Sequence, residues 1–278
     1  SSSVNRYMAI ECASNAKQLV IVGDDMQAIY AWRGADKNSM ANFQRESNAT
    51  IFPLPVSYRC SKAVASYVSR HFVPDFTAHS SNKLGSVSSI DYDEMLEIAD
   101  ENDMILSRTN SMLVRAVFRL FMKGKAARIE RGRENAAEDF GLKFILNKYT
   151  DTSTKTMLSK VKRWTDLQVS SLEKDEAYAK ASDIKEQLNL IMFLAENTIF
   201  VSEILKKIDW PVELSKSDTG IVVSSIHRAK GAEANNVFVL ENSFSSKDSF
   251  DESRNLKYVA YTRAIENLYM VHGTGEKK

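Results

Sequence analysis

A turn near the start of the chain collects side chains that can handle phosphates and bases. Residues 20–35 read VIVGDDMQAIYAWRGA, a short apolar run followed by two acids and Gln27. A carboxamide can hydrogen-bond a phosphate oxygen or a water molecule. Tyr30 and Trp32 stand beside Arg33, and flat aromatic faces next to a cation suit the stacking of single-stranded bases. The alternative is an ordinary core with both aromatic residues inside, and this stretch alone leaves the two interpretations open.

The turn belongs to a chain in which strands alternate with helices. Short apolar and β-branched runs occur at QLVIVG, TIFPLP, DMILS, GIVVSSI, NVFVL and NLYMV. Segments of helical period, such as SKAVASYVSRHF and SMLVRAVFRLFMKG, lie between them. This alternation predicts βαβ units on a largely parallel sheet. Ligands bind beyond the carboxyl ends of such strands, so the polar residues that follow a strand are the candidates for chemistry.

The composition excludes several classes of protein. The chain has 278 residues, is 44% hydrophobic and carries a formal net charge of +1, so any binding of nucleic acid requires a local basic patch. No apolar run is long enough to span a bilayer, and the first residues lack the pattern of a signal peptide, which predicts a cytoplasmic protein. Cys12 and Cys60 have no partner at ligand spacing, so neither a disulfide framework nor a metal site is expected.

Four ordered motifs carry a resemblance to a known family. GDDMQAIYAWRGA resembles the third motif of UvrD/Rep-type superfamily 1 DNA helicases, and LPVSYRCS resembles the fourth. VVSSIHRAKGAEANNVFVL is similar to the fifth motif and ESRNLKYVAYTRAIENLYMV to the sixth, while ILSRTN matches the intervening strand and loop. Four motifs in the right order are far more specific than any one of them.

The resemblance implies an α/β fold with a RecA-like parallel sheet flanked by helices and a small all-helical insert. Residues 1–48 would be the end of a first RecA-like domain. Residues 49–134 and 215–278 would form the second. Residues 135–214 hold no convincing strand, are rich in Lys, Glu, Leu and Ala, and are predicted to form a few helices in place of the large accessory subdomain of longer relatives.

The resemblance also implies roles around ATP. Gln27 would sense the γ-phosphate, and Arg59 and Arg263 would reach the same phosphate from the second domain. Two guanidiniums suit this chemistry because charge on the transferred phosphoryl group must be offset, and arginine stays protonated. The remaining nucleotide contacts would come from Tyr58 on the adenine, Gly231 in the binding loop and Glu233 on a ribose hydroxyl.

The residues implied on the DNA side lie in three segments. They are Tyr30, Trp32, Arg33, Arg108, Thr109, Asn110, His227 and Lys230. Backbone phosphate contacts from such residues would position a strand without reading its sequence. For a further basic run, Lys123, Lys125, Arg128, Arg131 and Arg133, a solvated face and a DNA contact both stay open. Trp164 is expected to pack in a helix rather than to meet DNA.

The sequence also departs from the family pattern. Ser57 stands where the fourth motif usually has Asn, Ser225 where a Thr is expected, and Ala232 where Leu is common. No Gly-x-x-x-x-Gly-Lys-Ser/Thr loop and no Asp-Glu-x-x-Asp run occurs in these residues. We therefore expect a C-terminal fragment or one half of a split ATPase, inactive alone, with the Mg²⁺ ligands in a missing N-terminal half.

The functional hypothesis is the C-terminal half of an ATP-dependent DNA helicase or translocase, with a 3′-to-5′ polarity that the family alone implies. Its cofactors would be ATP and Mg²⁺. Its partners would be single-stranded DNA and the missing N-terminal RecA-like half, with no membrane. The alternative is a non-catalytic DNA-binding or partner-docking module that keeps the fold.

Overall fold

The computed structural model describes residues 3–30, 36, 38–129, 142–175, 178–206, 219–244 and 250–273. The chain divides into two compact units. Unit 1 comprises Ser1–Ser89, Ala229–Val239 and Phe244–Met270. Unit 2 comprises Ile90–Arg228, Leu240–Ser243 and Val271–Lys278.

Helices and strands alternate along most of the described chain. The helices are α1 (Ser3–Cys12), α2 (Ser39–Ser47), α3 (Lys62–His71), α4 (Tyr92–Ile98), α5 (Asn110–Met122), α6 (Leu142–Asn147), α7 (Thr154–Lys174), α8 (Tyr178–Leu194) and α9 (Phe250–Tyr261). The strands are β1 (Val56–Ser57), β2 (Thr77–Ala78), β3 (Ser86–Asp91), β4 (Met104–Ser107), β5 (Ala127–Ile129), β6 (Ile221–Ser225), β7 (Ala234–Leu240) and β8 (Ala264–His272). Short 3₁₀ turns occupy Asp25–Gln27 and Glu241–Ser243, and residues 201–206 are helical.

Six strands form the main sheet, in the order β3-β8-β7-β4-β6-β5. Within unit 2, β4 and β5 both pair with β6 in parallel, with Met104 opposite Val222 and Ala127 opposite Ile221. All of β4 is buried, as expected for a parallel strand in a covered sheet. The runs DMILS, GIVVSSI, NVFVL and NLYMV form β4, β6, β7 and β8, which confirms the predicted α/β fold with helices flanking a parallel sheet.

Two predicted strands are wrong. Residues 18–23 are not a strand, and neither are residues 50–55, where the only nearby strand is the two-residue β1. Val20 and Val22 are 70% and 79% exposed, and Ile51, Phe52 and Leu54 are also exposed. A strand needs a neighbour for its backbone groups, and the described residues supply none here. An apolar run alone is therefore not enough to predict that a segment pairs as a strand.

Some strands carry no apolar pattern that would reveal them. β3 has the polar sequence SVSSID, and β5 has only the three residues ARI. β1 and β2 pair in parallel over two residues each. Such short or polar strands owe their conformation to their neighbours in the sheet, because strand propensity depends strongly on context.

The described part of the predicted insert is mainly helical, with turns and an antiparallel bridge between Ser153 and Phe200. Its helices α6, α7 and α8 pack around Leu146, Met157 and Ile191, which are fully buried, together with Phe118 of α5. Trp164 of α7 is 46% exposed, so it is not a core residue. The predicted borders at 134/135 and 214/215 fall outside the described residues, and the four-segment division stays a prediction.

Candidate nucleotide and nucleic-acid site

The turn after residues 19–22 is organised by the carboxylate of Asp24. Asp24 Oδ1 accepts from the backbone N–H of Met26 at 3.0 Å and caps the 3₁₀ turn Asp25–Gln27. Asp24 Oδ2 accepts from Gln27 Nε2 at 2.9 Å. The side chain of Gln27 is therefore held by an acid three residues before it.

Two other segments of unit 1 hold the same turn. Asn255 of α9 donates to the carbonyl of Ala28 at 3.3 Å and to that of Asp25 at 3.5 Å. Lys230 Nζ donates to the carbonyl of Gln27 at 3.0 Å and lies 5.8 Å from the ring centre of Tyr30. Ile29 is buried, as the core interpretation of this stretch required, whereas Tyr30 is only partly buried. Trp32 and Arg33 lie outside the described residues.

The loop that carries Tyr58 and Arg59 is built from hydroxyl and amide hydrogen bonds. Ser57 Oγ accepts from the backbone N–H groups of Arg59 and Cys60 at 3.3 and 3.1 Å. Asn82 donates to the carbonyls of Ser57 and Cys60, both at 2.8 Å. Ser57 thus accepts the hydrogen bonds that hold the turn. The serine in place of the usual Asn of the fourth motif therefore leaves the loop hydrogen-bonded.

Arg59 forms an ion pair with Glu233, the residue predicted to contact the ribose. Arg59 Nε donates to Glu233 Oε2 at 2.5 Å, and Nη1 reaches the carbonyl of Thr262 at 3.5 Å. Both side chains remain partly exposed to solvent. Arg59 and Glu233 neutralise one another in this pair. A bound ligand could replace both contacts at once, with an anionic group on Arg59 and a hydroxyl that donates to Glu233. Gly231, with a φ of 95°, lies in the same loop.

Arg263 is buried rather than projecting into solvent. It is 2% exposed, and Nε donates to the carbonyl of Val259 at 2.9 Å. Nη1 donates to the carbonyl of Ala232 at 3.3 Å, and Nη2 donates to Thr262 Oγ1 at 3.1 Å. Burial lowers the pKa of Arg263, and the nearby charge of Arg59 adds to that shift. Two guanidiniums therefore lie close enough to repel one another, a setting that an anionic ligand would relieve.

Tyr58 forms a stacked pair with a residue that the motifs do not contain. The rings of Tyr58 and His79 are 4.6 Å apart with an interplanar angle of 24°. His79 Nδ1 accepts from the backbone N–H of Ser81 at 3.3 Å. Tyr58 is 76% exposed, so its ring can receive a base while His79 supports it. Only contact across the fold identifies His79, because its sequence context is an ordinary polar loop.

The predicted DNA residues of unit 2 lie where strands β4 and β6 end. Arg108 donates its backbone N–H to Ser243 Oγ at 3.0 Å, and Ser107 Oγ accepts from the N–H of Thr109 at 3.1 Å. Asn110 begins α5. His227 is partly buried in the turn after β6. These placements leave the DNA roles as predictions.

Part of the basic run has a structural role. Lys123 pairs with Glu97, and this hydrogen bond is the main cause that lowers the pKa of Glu97. Lys125 donates to the carbonyls of Glu97 and Ala99. The ammonium groups therefore tie the end of α5 to α4. For these two residues, this favours a role in the fold over a DNA contact. Arg131 and Arg133 lie outside the described residues.

Two features are absent from the described residues. These residues contain no group of three or more His, Cys, Asp or Glu side chains placed to hold a metal ion. None of the helices described is long and apolar enough to cross a membrane.

Comparison with known proteins gives matches at both ends of the chain. Residues 5–48 match the UvrD/REP helicase N-terminal domain family, and residues 220–271 match the UvrD-like helicase C-terminal domain family. These two segments contain Gln27, Tyr30, Glu233 and Arg263.

Curated relatives resemble the chain over most of its length. DNA helicase II of Rickettsia typhi is 24% identical over 386 aligned positions, covering 95% of this chain and 57% of the relative. Gabija protein GajB of Bacillus cereus is 21% identical, covering 91% of this chain and 58% of the relative. PcrA of Bacillus subtilis is 36% identical over 61 residues. The chain thus spans less than three fifths of the length of the first two.

Among solved structures, the C-terminal domain of a possible DNA helicase from Lactobacillus plantarum WCFS1 aligns with 78% of this chain and 88% of its own, at 12% identity and a TM-score of 0.38. The fold assignment rests on the strand pairing described above. The matches to the two domain families, in the order that the four motifs require, and the helicase relatives support the resemblance of this chain to UvrD/Rep-type helicases.

Proposed function

We propose that this chain is the C-terminal part of an ATP-dependent DNA helicase or translocase that moves in the 3′-to-5′ direction. The observation that carries the proposal is the clustering of five candidate residues within unit 1. Arg59 contacts Glu233, Arg263 contacts the carbonyl of Ala232 beside it, and Lys230 contacts the carbonyl of Gln27. A pure DNA-binding module has no need for this set.

The chemistry suits transfer of a phosphoryl group. In such reactions the protein positions the phosphate and offsets its charge, with little covalent work of its own. Arg59 would exchange its bond with Glu233 for the γ-phosphate. Glu233 would then be available to accept from a ribose hydroxyl. Arg263 would add the second positive charge, and Gln27 would sense the γ-phosphate.

The proposed reaction also requires a phosphate-binding loop and Mg²⁺ ligands. We infer that an N-terminal RecA-like half supplies the phosphate-binding loop and the Mg²⁺ ligands. Unit 1 exposes apolar side chains at Val4, Tyr7, Met8, Val20, Val22, Ile51, Phe52 and Leu54. A contiguous apolar patch marks a protein contact, and we propose that these side chains meet the N-terminal half. A partner strand beside residues 19–22 would satisfy the backbone groups that the described residues leave unpaired there.

Single-stranded DNA is the proposed track. Tyr30 and Trp32 would stack on its bases, and Arg33, His227 and Lys230 would be further contacts to the strand. Arg108, Thr109 and Asn110 would hold its phosphates, so the affinity should fall as salt rises. The contacts would tolerate any base sequence, because stacking and phosphate contacts read none.

We expect Trp32→Ala to weaken single-stranded DNA binding by about 1–3 kcal/mol, because it removes one base-stacking face. The melting temperature should change little. Fluorescence anisotropy with a labelled oligonucleotide at several salt concentrations measures the effect. Trp164→Ala is the matched control, since Trp164 is half-exposed on the helical insert and should leave the affinity unchanged. Unchanged affinity with a large loss of melting temperature in Trp32→Ala would assign Trp32 to the core.

The experiment for the function is ATP hydrolysis by the chain mixed with an N-terminal RecA-like half, which we call the reconstituted pair. Hydrolysis should require both halves and should rise with single-stranded DNA. Gln27→Ala should abolish most of it, since Gln27 would sense the γ-phosphate. DNA binding by the chain without hydrolysis by the pair would favour the non-catalytic module instead.

A further inference from the structure

One oxygen of Asp24 serves two donors from distant parts of the sequence. Asp24 Oδ2 accepts from Gln27 Nε2 at 2.9 Å and from the hydroxyl of Tyr258 at 2.9 Å. The other oxygen, Oδ1, caps the backbone of the same turn. The orientation of Gln27 therefore depends on where Tyr258 holds this carboxylate.

The ring of Tyr258 has little freedom to move. The residue is 5% exposed, and its ring meets Phe72 at 6.0 Å and Phe76 at 6.4 Å between centroids. Burial and the adjacent carboxylate of Asp24 raise the pKa of the Tyr258 hydroxyl. The group stays protonated near neutral pH and remains a donor to Asp24.

The same residue is connected to Arg263 through the end of α9. Thr262 Oγ1 donates to the carbonyl of Tyr258 at 2.8 Å and accepts from Arg263 Nη2 at 3.1 Å. Tyr258 thus bonds Asp24 through its side-chain hydroxyl and bonds Thr262, a partner of Arg263, through its backbone carbonyl.

We propose that Tyr258 is a positioning residue that fixes Gln27 through Asp24. The inference rests on the proposed function, in which Gln27 acts on the γ-phosphate. Tyr258 itself touches no reacting atom. The Tyr258 hydroxyl holds the carboxylate of Asp24, and that carboxylate holds the side-chain amide of Gln27. Loss of the hydroxyl therefore leaves the side chain of Gln27 free to rotate.

Tyr258→Phe isolates this role because it removes one oxygen and keeps the packed ring. In the reconstituted pair it should lower kcat about tenfold, the size of one hydrogen bond to a charged group, and change KM for ATP by less than about twofold. In a Gln27→Ala background the same change should have less than about a twofold further effect, because the two residues act as one unit. Asp24→Asn, which keeps an acceptor for the hydroxyl, should retain more activity than Asp24→Ala.

Tyr92→Phe is the matched control. The hydroxyl of Tyr92 is buried and bonds to no described residue, so its removal should leave kcat unchanged. Equal kcat in wild type and Tyr258→Phe, with Gln27→Ala impaired, would overturn the inference and leave the proposed function intact. Additive losses in the double variant would show a merely structural role. Absence of hydrolysis in the wild-type pair would contradict the proposed function.

A second readout tests the inference without hydrolysis. In the 278-residue chain, Tyr258→Phe should shift the side-chain amide resonances of Gln27 and speed their exchange with water, whereas Tyr92→Phe should not. Unmoved Gln27 amide signals in Tyr258→Phe would overturn the inference whatever the kinetics show.

Discussion

Arg263→Ala should lower ATP turnover in the reconstituted pair by about 100-fold or more, or about 3 kcal/mol in barrier. One oriented positive charge on a transferring phosphoryl group carries orders of magnitude in rate. Nucleotide affinity should fall much less, since Arg59 and Tyr58 remain. Steady-state turnover, with nucleotide binding measured separately, gives the two numbers. Turnover within about twofold of wild type would remove Arg263 from the reaction.

Burial of Arg263 requires a control for folding. Its guanidinium donates to Val259, Ala232 and Thr262, so its loss also leaves acceptors unpaired and should lower the melting temperature. Arg254→Ala is the matched variant, because Arg254 lies on α9, the helix that precedes the turn of Arg263, and also donates to a backbone carbonyl, that of Phe72. Turnover of Arg254→Ala, measured well below its melting temperature, should stay within about twofold of wild type. Equal loss in both variants would mean that destabilisation explains the effect.

Gly85→Ala should destabilise the chain by about 4 kcal/mol or more, enough to lower the melting temperature by about 10 °C or to prevent folding. Gly85 has a φ of 64°, and a Cβ at this position would overlap the carbonyl oxygen of Glu266 and the side chain of Ser61. Both neighbours are fixed, since Ser61 Oγ donates to the same carbonyl at 2.7 Å. Thermal unfolding followed by circular dichroism measures the loss.

Gly124→Ala separates backbone strain from overlap. Gly124 also has a positive φ, 73°, but a Cβ there would meet no atom within 4 Å. It should cost only about 1 kcal/mol, the price of the left-handed conformation. Similar melting temperatures for the two variants would show that the residues around Gly85 shift to accommodate the added methyl group, contrary to the prediction. The comparison bears on the nucleotide site because Ser61 directly follows the loop of Tyr58 and Arg59.

The sequence predicted elements well where a local pattern decides the outcome. The β-branched run of β6 and the helical period of α5 both formed as expected, because burial on a fixed face follows from spacing. The run at residues 19–22 failed, since a strand also needs a neighbour that the pattern does not specify. Pattern alone therefore identifies a chain segment that can pair but not whether it does.

Long-range contacts explain what the sequence could not supply at the site. The bond between Asp24 and Tyr258 joins residues 234 positions apart, and the stack of Tyr58 on His79 links a motif to an ordinary loop. The burial of Arg263 was equally hidden, because arginine in a motif is expected at a surface cleft. The motifs predicted which residues belong to the candidate site. Their hydrogen-bond and stacking partners depend on the fold, which the motifs do not specify.

ATP hydrolysis measured for the chain alone, for the N-terminal RecA-like half alone and for their mixture, each with and without single-stranded DNA, tests the proposed split of the ATPase site. We expect hydrolysis only in the mixture, stimulated by DNA and lost when the chain carries Gln27→Ala. That variant guards against a contaminating ATPase in the partner preparation. DNA-stimulated hydrolysis by the 278-residue chain alone, or a mixture as active with Gln27→Ala as without it, would contradict the proposal.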